Sequence, residues 1–544
     1  MRNKNYPYYK TEHVSNLKEM VDYVAAEYGD KPAFTFERNK ATVSVSCRQF
    51  KSDIQALGTA FTNIGMSDSK IAVIGENSYE WILTYFATVN GGNVIVPLDK
   101  ELPSSDIRNL IEESGAEMLV YSCEYSDVAE YLQEKSGAIA HYVDMQDLFE
   151  LIKVGKGQIE DGKNTFVEHV VDNYKVAALL YTSGTTGNAK GVMLSHYGLA
   201  RNAVAAAQHL ELIGSNMVVL PLHHAFGFMS MCVTLLKGSE AYINASLKKI
   251  LSDFKEFKPH NISLVPLFIE TFYNKIWEGA KKEGKENLLK KLQSISNTLM
   301  RMGIDVRRVL FKSVLRAFGG NIKMLVSGGA PLDPKYVEGL RSFGIMVLNG
   351  YGITECSPIV SVNRDEYFRD GSVGPVLPCC EVKILKPDEN GNGEICVKGD
   401  TVMLGYYNNE SATKEAFDGD WFKTGDIGRL DSDGFLYISG REKNLIILSN
   451  GKNVYPEELE LALLNQIPYI KEAVVYAEDN IVVAEVFLDT ENEHDCASRI
   501  NNDIILFNKT QAAYKNIGRT VIRETNFPKT TTKKIKRNYN QEGK

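Results

Sequence analysis

A stretch rich in glycine and hydroxyl side chains, residues 181–192, constrains this chain more than any other part of it. The apolar run at 176–180 predicts a buried strand before it, and the Ala-rich segment at 199–210 predicts a helix after it. Glycines let backbone N–H groups turn toward an anion, hydroxyls donate to oxygen, and Lys190 can neutralise phosphate. The stretch is not a Walker loop, because Gly187 and Lys190 lie three positions apart. It therefore predicts a polyphosphate cradle, with a plain surface loop as the alternative.

Composition narrows the class of protein without identifying it. The 544 residues are enough for several domains, and 44% hydrophobic with 24% charged residues is typical of a globular enzyme. A net charge of -8 gives no overall attraction to nucleic acid. The sequence shows neither an apolar run of about 18 residues nor a signal-peptide start, so we expect no transmembrane segment. Eight cysteines without Cys-x-x-Cys spacing predict reduced thiols in a cytoplasmic protein.

Alternating strand and helix patterns indicate the fold class. Residues 71–75 predict a strand, 79–89 carry apolar side chains at helical spacing, and 91–99 predict a second strand. The alternation continues through a helix at 106–114 and a strand at 117–121. This order predicts an α/β protein with doubly wound parallel sheets, whose ligands bind at the carboxyl ends of the strands.

Two further strand ends carry side chains suited to chemistry. His223 and His224 follow a buried run, although a histidine at a strand end is more often structural than reactive. In residues 346–355, Gly350 and Gly352 flank Tyr351 and would admit a flat ligand. The same segment ends in Thr354, a hydroxyl donor for phosphate, and Glu355, a hard oxygen ligand for Mg²⁺. Without other information, this segment could also be a tight turn.

Together these motifs resemble those of the AMP-forming acyl-CoA synthetases, in the adenylate-forming enzyme superfamily, and most of all the bacterial long-chain fatty acid–CoA ligases. The match includes the phosphate-binding signature at 182–191, Pro-Leu-x-His-x-x-Gly at 221–227 and Tyr-Gly-x-Thr-Glu at 351–355. It also includes Trp-x-x-Thr-Gly-Asp at 421–426 and a C-terminal Pro-x-Thr element that begins at Pro528. The resemblance covers the chain from about residue 71 to 537.

The resemblance implies roles for individual residues. The catalytic set would be Lys534, His224, Thr354 and Glu355, with His224 lining the carboxylate site and Glu355 holding Mg²⁺. Tyr351 would pack on adenine and Asp426 would accept both ribose hydroxyls. The residues implied in nucleotide and cofactor binding are Thr182, Ser183, Gly184, Thr185, Thr186, Gly187, Lys190, Gly329, Ala330, Asn349, Gly350, Tyr351, Gly352, Thr354, Asp426, Arg441 and Gly451.

The domain division follows from a change of pattern near residue 441. Residues 1–440 would form the large domain of doubly wound sheets with a β-rich subdomain, which binds ATP and the acid. Residues 441–544 would form a small α+β lid domain, hinged at Lys443 by the resemblance. The lid would bring Lys534 to the adenylation step and withdraw it for transfer to the thiol.

The segment 268–318 is strongly helical and carries an apolar stripe. Its members are Leu288, Leu289, Leu292, Ile295, Leu299 and Met302. An ordinary amphipathic helix explains this pattern, and the alternative is a helical insert that forms the wall or mouth of an acyl tunnel. The nearby basic residues, which include Lys281, Lys282 and Lys291, could then meet CoA phosphates or anionic lipid heads.

We therefore expect an enzyme that uses ATP and Mg²⁺ to convert a carboxylic acid, most simply a medium or long fatty acid, to acyl-AMP and then acyl-CoA. One alternative loads an acyl carrier protein instead of CoA, and another is a nucleotide-binding regulator without catalysis. Aryl and bile acids stay open as substrates, as do oligomeric state and peripheral membrane contact. Three departures from the family pattern, Lys533, Asn444 and Ile447, bear on the lid and on the second half-reaction.

Overall fold

The structure is a computed structural model that describes residues 6–182, 189–448, 452–478, 481–490, 495–529 and 535–537. These residues fall into two compact units. The first comprises Met1–Val382, Val397–Phe422 and Asp433–Phe435, and the second comprises Lys383–Cys396, Lys423–Ser432 and Leu436–Lys544. None of the described helices is both long enough and apolar enough to cross a membrane.

The first third of the chain alternates helices and short strands. In order they are α1 (Leu17–Tyr28), β1 (Pro32–Arg38), β2 (Ala41–Ser46), α2 (Cys47–Asn63), β3 (Lys70–Ile74), α3 (Tyr79–Asn90), β4 (Val94–Pro97), α4 (Ser104–Ser114), β5 (Met118–Tyr121), α5 (Ser126–Lys135), β6 (His141–Asp144), α6 (Leu148–Glu160), α7 (Thr165–Glu168), β7 (Val176–Thr182), β8 (Lys190–Ser195) and α8 (His196–His209).

The middle of the chain completes the alternation and adds a helical segment. Its elements are β9 (Asn216–Val218), α9 (Ala225–Leu236), β10 (Ala241–Ile243), α10 (Ile250–Phe257), β11 (Asn261–Leu264), α11 (Pro266–Lys282), α12 (Glu286–Arg301), α13 (Arg307–Leu310), α14 (Lys312–Ala317), β12 (Met324–Ser327), α15 (Pro334–Ser342), β13 (Met346–Gly352) and β14 (Ile359–Val362).

The remainder is rich in strands before it alternates again. Its elements are β15 (Gly374–Pro375), β16 (Cys380–Leu385), β17 (Gly393–Gly399), β18 (Gly405–Tyr406), α16 (Glu410–Ala416), β19 (Phe417–Asp418), β20 (Trp421–Leu430), β21 (Phe435–Arg441), β22 (Ile446–Ile447), β23 (Asn453–Val454), α17 (Pro456–Gln466), β24 (Ile470–Glu478), β25 (Ile481–Leu488), α18 (Cys496–Asn508) and β26 (Ile517–Arg523).

Two large sheets organise the first unit. One has the strand order β18-β8-β7-β4-β3-β5-β6, and the other has the order β14-β13-β12-β11-β9-β10-β1-β2. Their central strands are parallel, and β2 and β14 are antiparallel edges. The predicted β-α-β unit is present as β3–α3–β4, with the Ser78 hydroxyl accepting from the Trp81 N–H at the start of α3. The α/β class with doubly wound sheets is confirmed.

The helix predicted at 199–210 is present as α8, but an additional strand precedes it. Lys190 opens this strand, β8, which pairs antiparallel with β7. Thr182 lies opposite Lys190 and Tyr181 opposite Gly191 in this register. The helix α8 begins only at His196, where the Ser195 hydroxyl accepts from the Gly198 N–H. Residues 183–189 therefore connect two paired strands.

The predicted apolar stripe of α12 is buried along only one of its edges. Leu289 is buried and Leu292 packs partly buried against the core beside the eight-stranded sheet. Leu288, Ile295 and Met302 are instead exposed to solvent by 52%, 43% and 69%. Their spacing of seven residues places them along the other edge of the same stripe, about 100° around the helix axis from Leu289. Only part of the stripe contributes to the core.

The second unit has its own sheet and core. The apolar runs at 473–476 and 481–487 predict a hairpin or paired strands, and β24 and β25 form an antiparallel pair there. Strand β26 adds parallel to β25. The helices α17 and α18 pack on this sheet around buried Leu459, Leu463, Ile500 and Phe507. The antiparallel strands β20 and β21 belong to a six-stranded sheet with the order β15-β21-β20-β17-β16, and they bring Asp426 opposite Arg441. This mixture agrees with the α+β character expected for the C-terminal part.

Candidate active site

The sequence predicts His224 at the end of a strand, but β9 ends at Val218 and His224 instead lies directly before a helix. It is the residue before α9, and its backbone N–H donates to the Pro221 carbonyl at 3.1 Å. A Cβ atom on Gly227 would lie 2.4 Å from the same carbonyl oxygen, so this close turn requires glycine. The unpaired N–H groups in the first turn of a helix favour an anion. The turn thus presents an imidazole and a helix N-terminus together, which suits a carboxylate.

His223 and Asp99 lie beside His224. His223 Nε2 is 3.4 Å from Asp99 Oδ1, and the two imidazole rings have centroids 4.2 Å apart. Burial, with a smaller contribution from His224, lowers the pKa of His223 to about 3, so this ring is neutral at physiological pH. The ligand atoms of the three side chains lie within 4.8 Å of one another, close enough to share a cation. Sequence reasoning treated His223 only as a neighbour and missed Asp99.

The glycine-flanked tyrosine lies at the end of β13. Ser327, before Gly329 and Ala330, pairs in register with Asn349, and Gly352 pairs with Ile359 of β14. A Cβ atom on Gly352 would lie only 2.2 Å from the Pro358 carbonyl oxygen, so the strands can approach only with glycine here. Gly329 has a φ of 85° and turns the chain away from β12.

A cavity of about 740 Å³, counted with its open mouth, lies between α9 and the ends of β11, β12 and β13. The space within it that a water molecule can reach is about 90 Å³. Most of its lining is apolar, and the residues include Phe226, Val233, Ile262, Val326, Val362, Gly329, Gly350, Tyr351 and Gly352. No described residue of 268–318 lines it, so the helical segment does not form its wall.

Two buried polar groups beside or in this cavity have no protein partner. They are the Asn349 Oδ1 atom and the Ser327 hydroxyl, the latter lining the cavity. A buried acceptor without a partner is costly unless a ligand satisfies it. Two other lining hydroxyls, those of Ser230 and Ser263, bond to each other at 2.7 Å.

Glu355 is fixed by a tyrosine that sequence reasoning did not assign. The Tyr406 hydroxyl donates to Glu355 Oε1 at 3.0 Å, and the Lys190 ammonium lies 4.8 Å from the centre of the Tyr406 ring. Burial, and then the charge of Glu355, raise the pKa of Tyr406, which keeps its proton for this bond. Thr354 precedes Glu355 in the same short 3-10 turn. The sequence Gly405-Tyr-Tyr407 contains this tyrosine, but it does not indicate which of its two tyrosines contacts Glu355.

We expect Tyr406→Phe to cost about 1–2 kcal/mol of unfolding free energy, because it removes a mostly buried hydrogen bond to a carboxylate. Pyrophosphate exchange should fall roughly tenfold, since Glu355 loses the donor that orients it. Denaturant unfolding and exchange assays measure the two effects. The matched control is Tyr407→Phe, and equal losses in both variants would contradict a specific role for Tyr406.

Asp426 and Arg441 form an ion pair within the second unit. Arg441 Nε lies 2.7 Å from Asp426 Oδ1, and Asp426 is only 4% exposed. The Asp426 N–H also donates to the Thr424 hydroxyl at 3.0 Å, which fixes the turn. Burial and the charge of Arg441 lower the pKa of Lys443. Asn444, one of the departures from the family pattern, donates to Glu457 Oε1 at 2.6 Å.

Several predicted site residues lie outside the described part of the chain. They are Ser183, Gly184, Thr185, Thr186, Gly187, Gly451 and Lys534, together with Lys533. Among the predicted residues that the structure describes, Lys190 lies near the ring of Tyr406 and Glu355 accepts from its hydroxyl. Gly329, Gly350, Tyr351 and Gly352 line one cavity.

Two protein-family models match most of this chain. The family model described as AMP-binding enzyme matches residues 21–407, and that described as AMP-binding enzyme C-terminal domain matches residues 443–542. A long-chain-fatty-acid–CoA ligase of Mycobacterium bovis is 29% identical over 457 residues, which are 79% of this chain and 75% of the relative.

Solved structures share the fold. An anthranilate CoA ligase in complex with anthranoyl-AMP has a TM-score of 0.77 at 20% identity, covering 100% of this chain and 98% of its own. The o-succinylbenzoate CoA synthetase of Bacillus subtilis, in complex with ATP and magnesium ion, has a TM-score of 0.69 at 23% identity. That match covers 96% of this chain and 98% of the synthetase. At these identities the likeness extends to the fold alone.

Proposed function

The chain belongs to the AMP-binding enzyme family, and we propose that it is an ATP- and Mg²⁺-dependent ligase that joins a medium or long fatty acid to CoA. The first half-reaction would give acyl-AMP and pyrophosphate, and the second would transfer the acyl group to the thiol. The observation that carries this proposal is the largely apolar cavity at the ends of β11–β13, which adjoins the nucleotide motif.

The first half-reaction brings a carboxylate to the α-phosphate of ATP, so two anions must approach each other. Positive charge and N–H donors placed where negative charge accumulates would lower this barrier. Lys190 supplies an ammonium, and the start of α9 behind His224 supplies N–H groups for the carboxylate. Thr354 would donate to the α-phosphate. Glu355, oriented by Tyr406, would hold Mg²⁺, which neutralises phosphate charge when bound.

The nucleotide would be held by strand ends and by glycines. Tyr351 would pack on the adenine, and the backbone of Gly329 and Ala330 would lie at its edge. The unpartnered Oδ1 of Asn349 supports this assignment, because an exocyclic amine is the donor it lacks. Asp426 would accept the ribose hydroxyls, with Arg441 holding its carboxylate in place through their ion pair. Thr182 and residues 183–187 would contact the β- and γ-phosphates.

The second half-reaction needs a thiol at the adenylate. We propose that residues 441–544 act as the mobile lid, with Lys443 as its hinge, Gly451 near CoA and Lys534 withdrawn after adenylation. Asn444 replaces the usual acid, and its bond to Glu457 ties the hinge segment to the start of α17. None of the eight cysteines, all of which the structure describes, forms a disulfide. This supports our proposal that the protein acts in the reducing cytoplasm.

A fatty acid is favoured over an aryl or amino acid by the cavity lining. Phe226, Val233, Ile262, Val326 and Val362 offer apolar contact, which suits methylene groups. The M. bovis relative is named for a long-chain-fatty-acid substrate, which supports the same class. The alternative acceptor, an acyl carrier protein, would share the first half-reaction and differ only in the thiol.

Pyrophosphate release across a panel of fatty, aryl and bile acids, with and without CoA, tests the proposal. We expect release with fatty acids of one length range, and mass detection of the matching acyl-CoA. Pyrophosphate release with a thioester formed only on a carrier protein would show that the acyl acceptor is that protein rather than CoA. ATP binding without release for any acid would overturn the enzyme assignment in favour of a regulator.

A further inference from the structure

The helical segment 281–316 has a charge opposite to that of the chain. It contains ten lysines and arginines and three acids, a net charge of +7, whereas the whole chain carries -8. Each acid pairs inside the segment: Glu283 with Lys285, Glu286 with Lys290 and Asp305 with Arg307. Seven basic side chains form no ion pair with any residue that the structure describes; they are Lys281, Lys282, Lys291, Arg301, Arg308, Lys312 and Arg316. Arg308 is nevertheless engaged, because its guanidinium donates to the backbone carbonyls of Gly320, Ile322 and Gly344.

The same segment exposes large apolar side chains. Leu288, Ile295 and Met302 repeat every seven residues along one side of α12, and the chain continues with Ile304 and Val309, exposed by 49% and 78%. Lys291 lies three residues after Leu288 and four before Ile295, so it projects from the same side. We name the five apolar residues the exposed stripe. So many large exposed apolar side chains within one short segment are uncommon on a protein that meets only water.

The exposed stripe lies on a helix that is already anchored to the core. The adjoining side of α12 buries Leu289 and Ser296, and Gln293 donates to the Ser342 hydroxyl of α15 at 2.6 Å. Packing of the core therefore does not explain the exposed stripe. The cavity does not explain it either, since no described residue of the segment lines the cavity.

We propose that this surface docks on an anionic lipid bilayer, with the exposed stripe in the interface and the basic side chains among the head groups. A second copy of the chain would present the same +7 surface across a twofold axis, and like charges would oppose that contact. Nucleic acid would satisfy the charge but not the apolar side chains. A membrane of acidic lipids satisfies both.

The proposal goes beyond the proposed function and does not rest on it. For a fatty acid–CoA ligase, membrane binding would bring the enzyme to its substrate, because a long acyl chain partitions into the same membrane. The binding energy would come from burial of the exposed stripe and from attraction of the unpaired cations. The attraction weakens as salt screens it, whereas burial of the apolar side chains does not.

The test is flotation of the full chain, without ATP or acid, with vesicles of phosphatidylcholine alone or with added phosphatidylserine. We expect binding to the acidic vesicles that weakens with salt, and little binding to the neutral ones. Each basic residue near an acidic surface contributes about fivefold in affinity, so Lys282→Gln/Lys291→Gln/Arg301→Gln should lose about a hundredfold. Leu288→Ser/Ile295→Ser/Met302→Ser should also lose binding.

The matched controls carry the same number of charge-removing or apolar-to-serine changes at other exposed positions. They are Lys135→Gln/Lys163→Gln/Lys414→Gln and Ile64→Ser/Val154→Ser/Val170→Ser, and both should bind like the parent. Equal binding by all variants would overturn the proposal, as would equal binding to neutral vesicles. A dimer in solution that the stripe variant alone dissociates, or preference for nucleic acid over vesicles, would also overturn it. Acyl-CoA formation from a short soluble acid without vesicles reports the proposed function separately.

Discussion

Replacing Lys534 by alanine is expected to lower acyl-AMP formation at least a hundredfold while leaving thioester formation from preformed acyl-AMP nearly unchanged. The reason is charge: in the proposed mechanism the Lys534 ammonium would stabilise the negative charge that develops in the first step, and loss of one such donor costs roughly 10²–10³ in rate. In the second step the thiol attacks a neutral acyl carbon, so the same ammonium is not needed. Pyrophosphate exchange measures the first step, and CoA consumption with synthetic acyl-AMP measures the second.

The structure offers a matched control for this variant. Lys534 lies outside the described residues, but its flanks are held: Lys529 Nζ is 2.5 Å from Glu472 Oε1, and Arg537 is 2.5 Å from Glu460. An alanine between these anchors should leave the fold intact. Lys533→Ala removes the neighbouring charge and should have a small effect on both steps. Equal loss of both steps in Lys534→Ala, or equal loss in the two variants, would contradict the division of roles.

The fold could be predicted wherever a local pattern and the tertiary structure agree. The β3–α3–β4 unit has an apolar strand, a Ser78 cap and helical spacing, and each of these signals is local. The antiparallel pair β24–β25 was visible for the same reason. The prediction failed after β7, because the glycine-rich stretch gives no sign that the chain turns back and pairs as β8.

The burial of the α12 stripe could not be predicted for a different reason. Periodicity shows that apolar residues share a side of a helix, but not which neighbours cover that side. Leu289 meets the core whereas Leu288, one residue before it, faces solvent. For the candidate site, the motif residues could be predicted because their types suit phosphate and adenine. Asp99 and Tyr406 were missed because they reach the site from other elements, at sequence distances that no motif spans.

Replacing Glu355 by glutamine is expected to lower acyl-AMP formation about a hundredfold and to raise the Mg²⁺ concentration needed for half-maximal rate by at least tenfold. Glutamine keeps the size of the side chain and an oxygen that can accept from the Tyr406 hydroxyl, so the turn should fold as before. Only the negative charge is lost, and a hard divalent cation prefers a carboxylate to an amide. Exchange assays across a Mg²⁺ titration measure both effects.

The control is Glu338→Gln, an exposed acid on α15, which should leave the titration unchanged. ATP binding in the presence of a chelator should be as tight in Glu355→Gln as in the parent, because the lost interaction is with the metal. An unchanged Mg²⁺ titration would contradict the assignment and leave Asp99, beside His223 and His224, as the other described carboxylate placed to hold a cation. Asp99→Asn decides between the two, since only the residue that binds the metal shifts the titration.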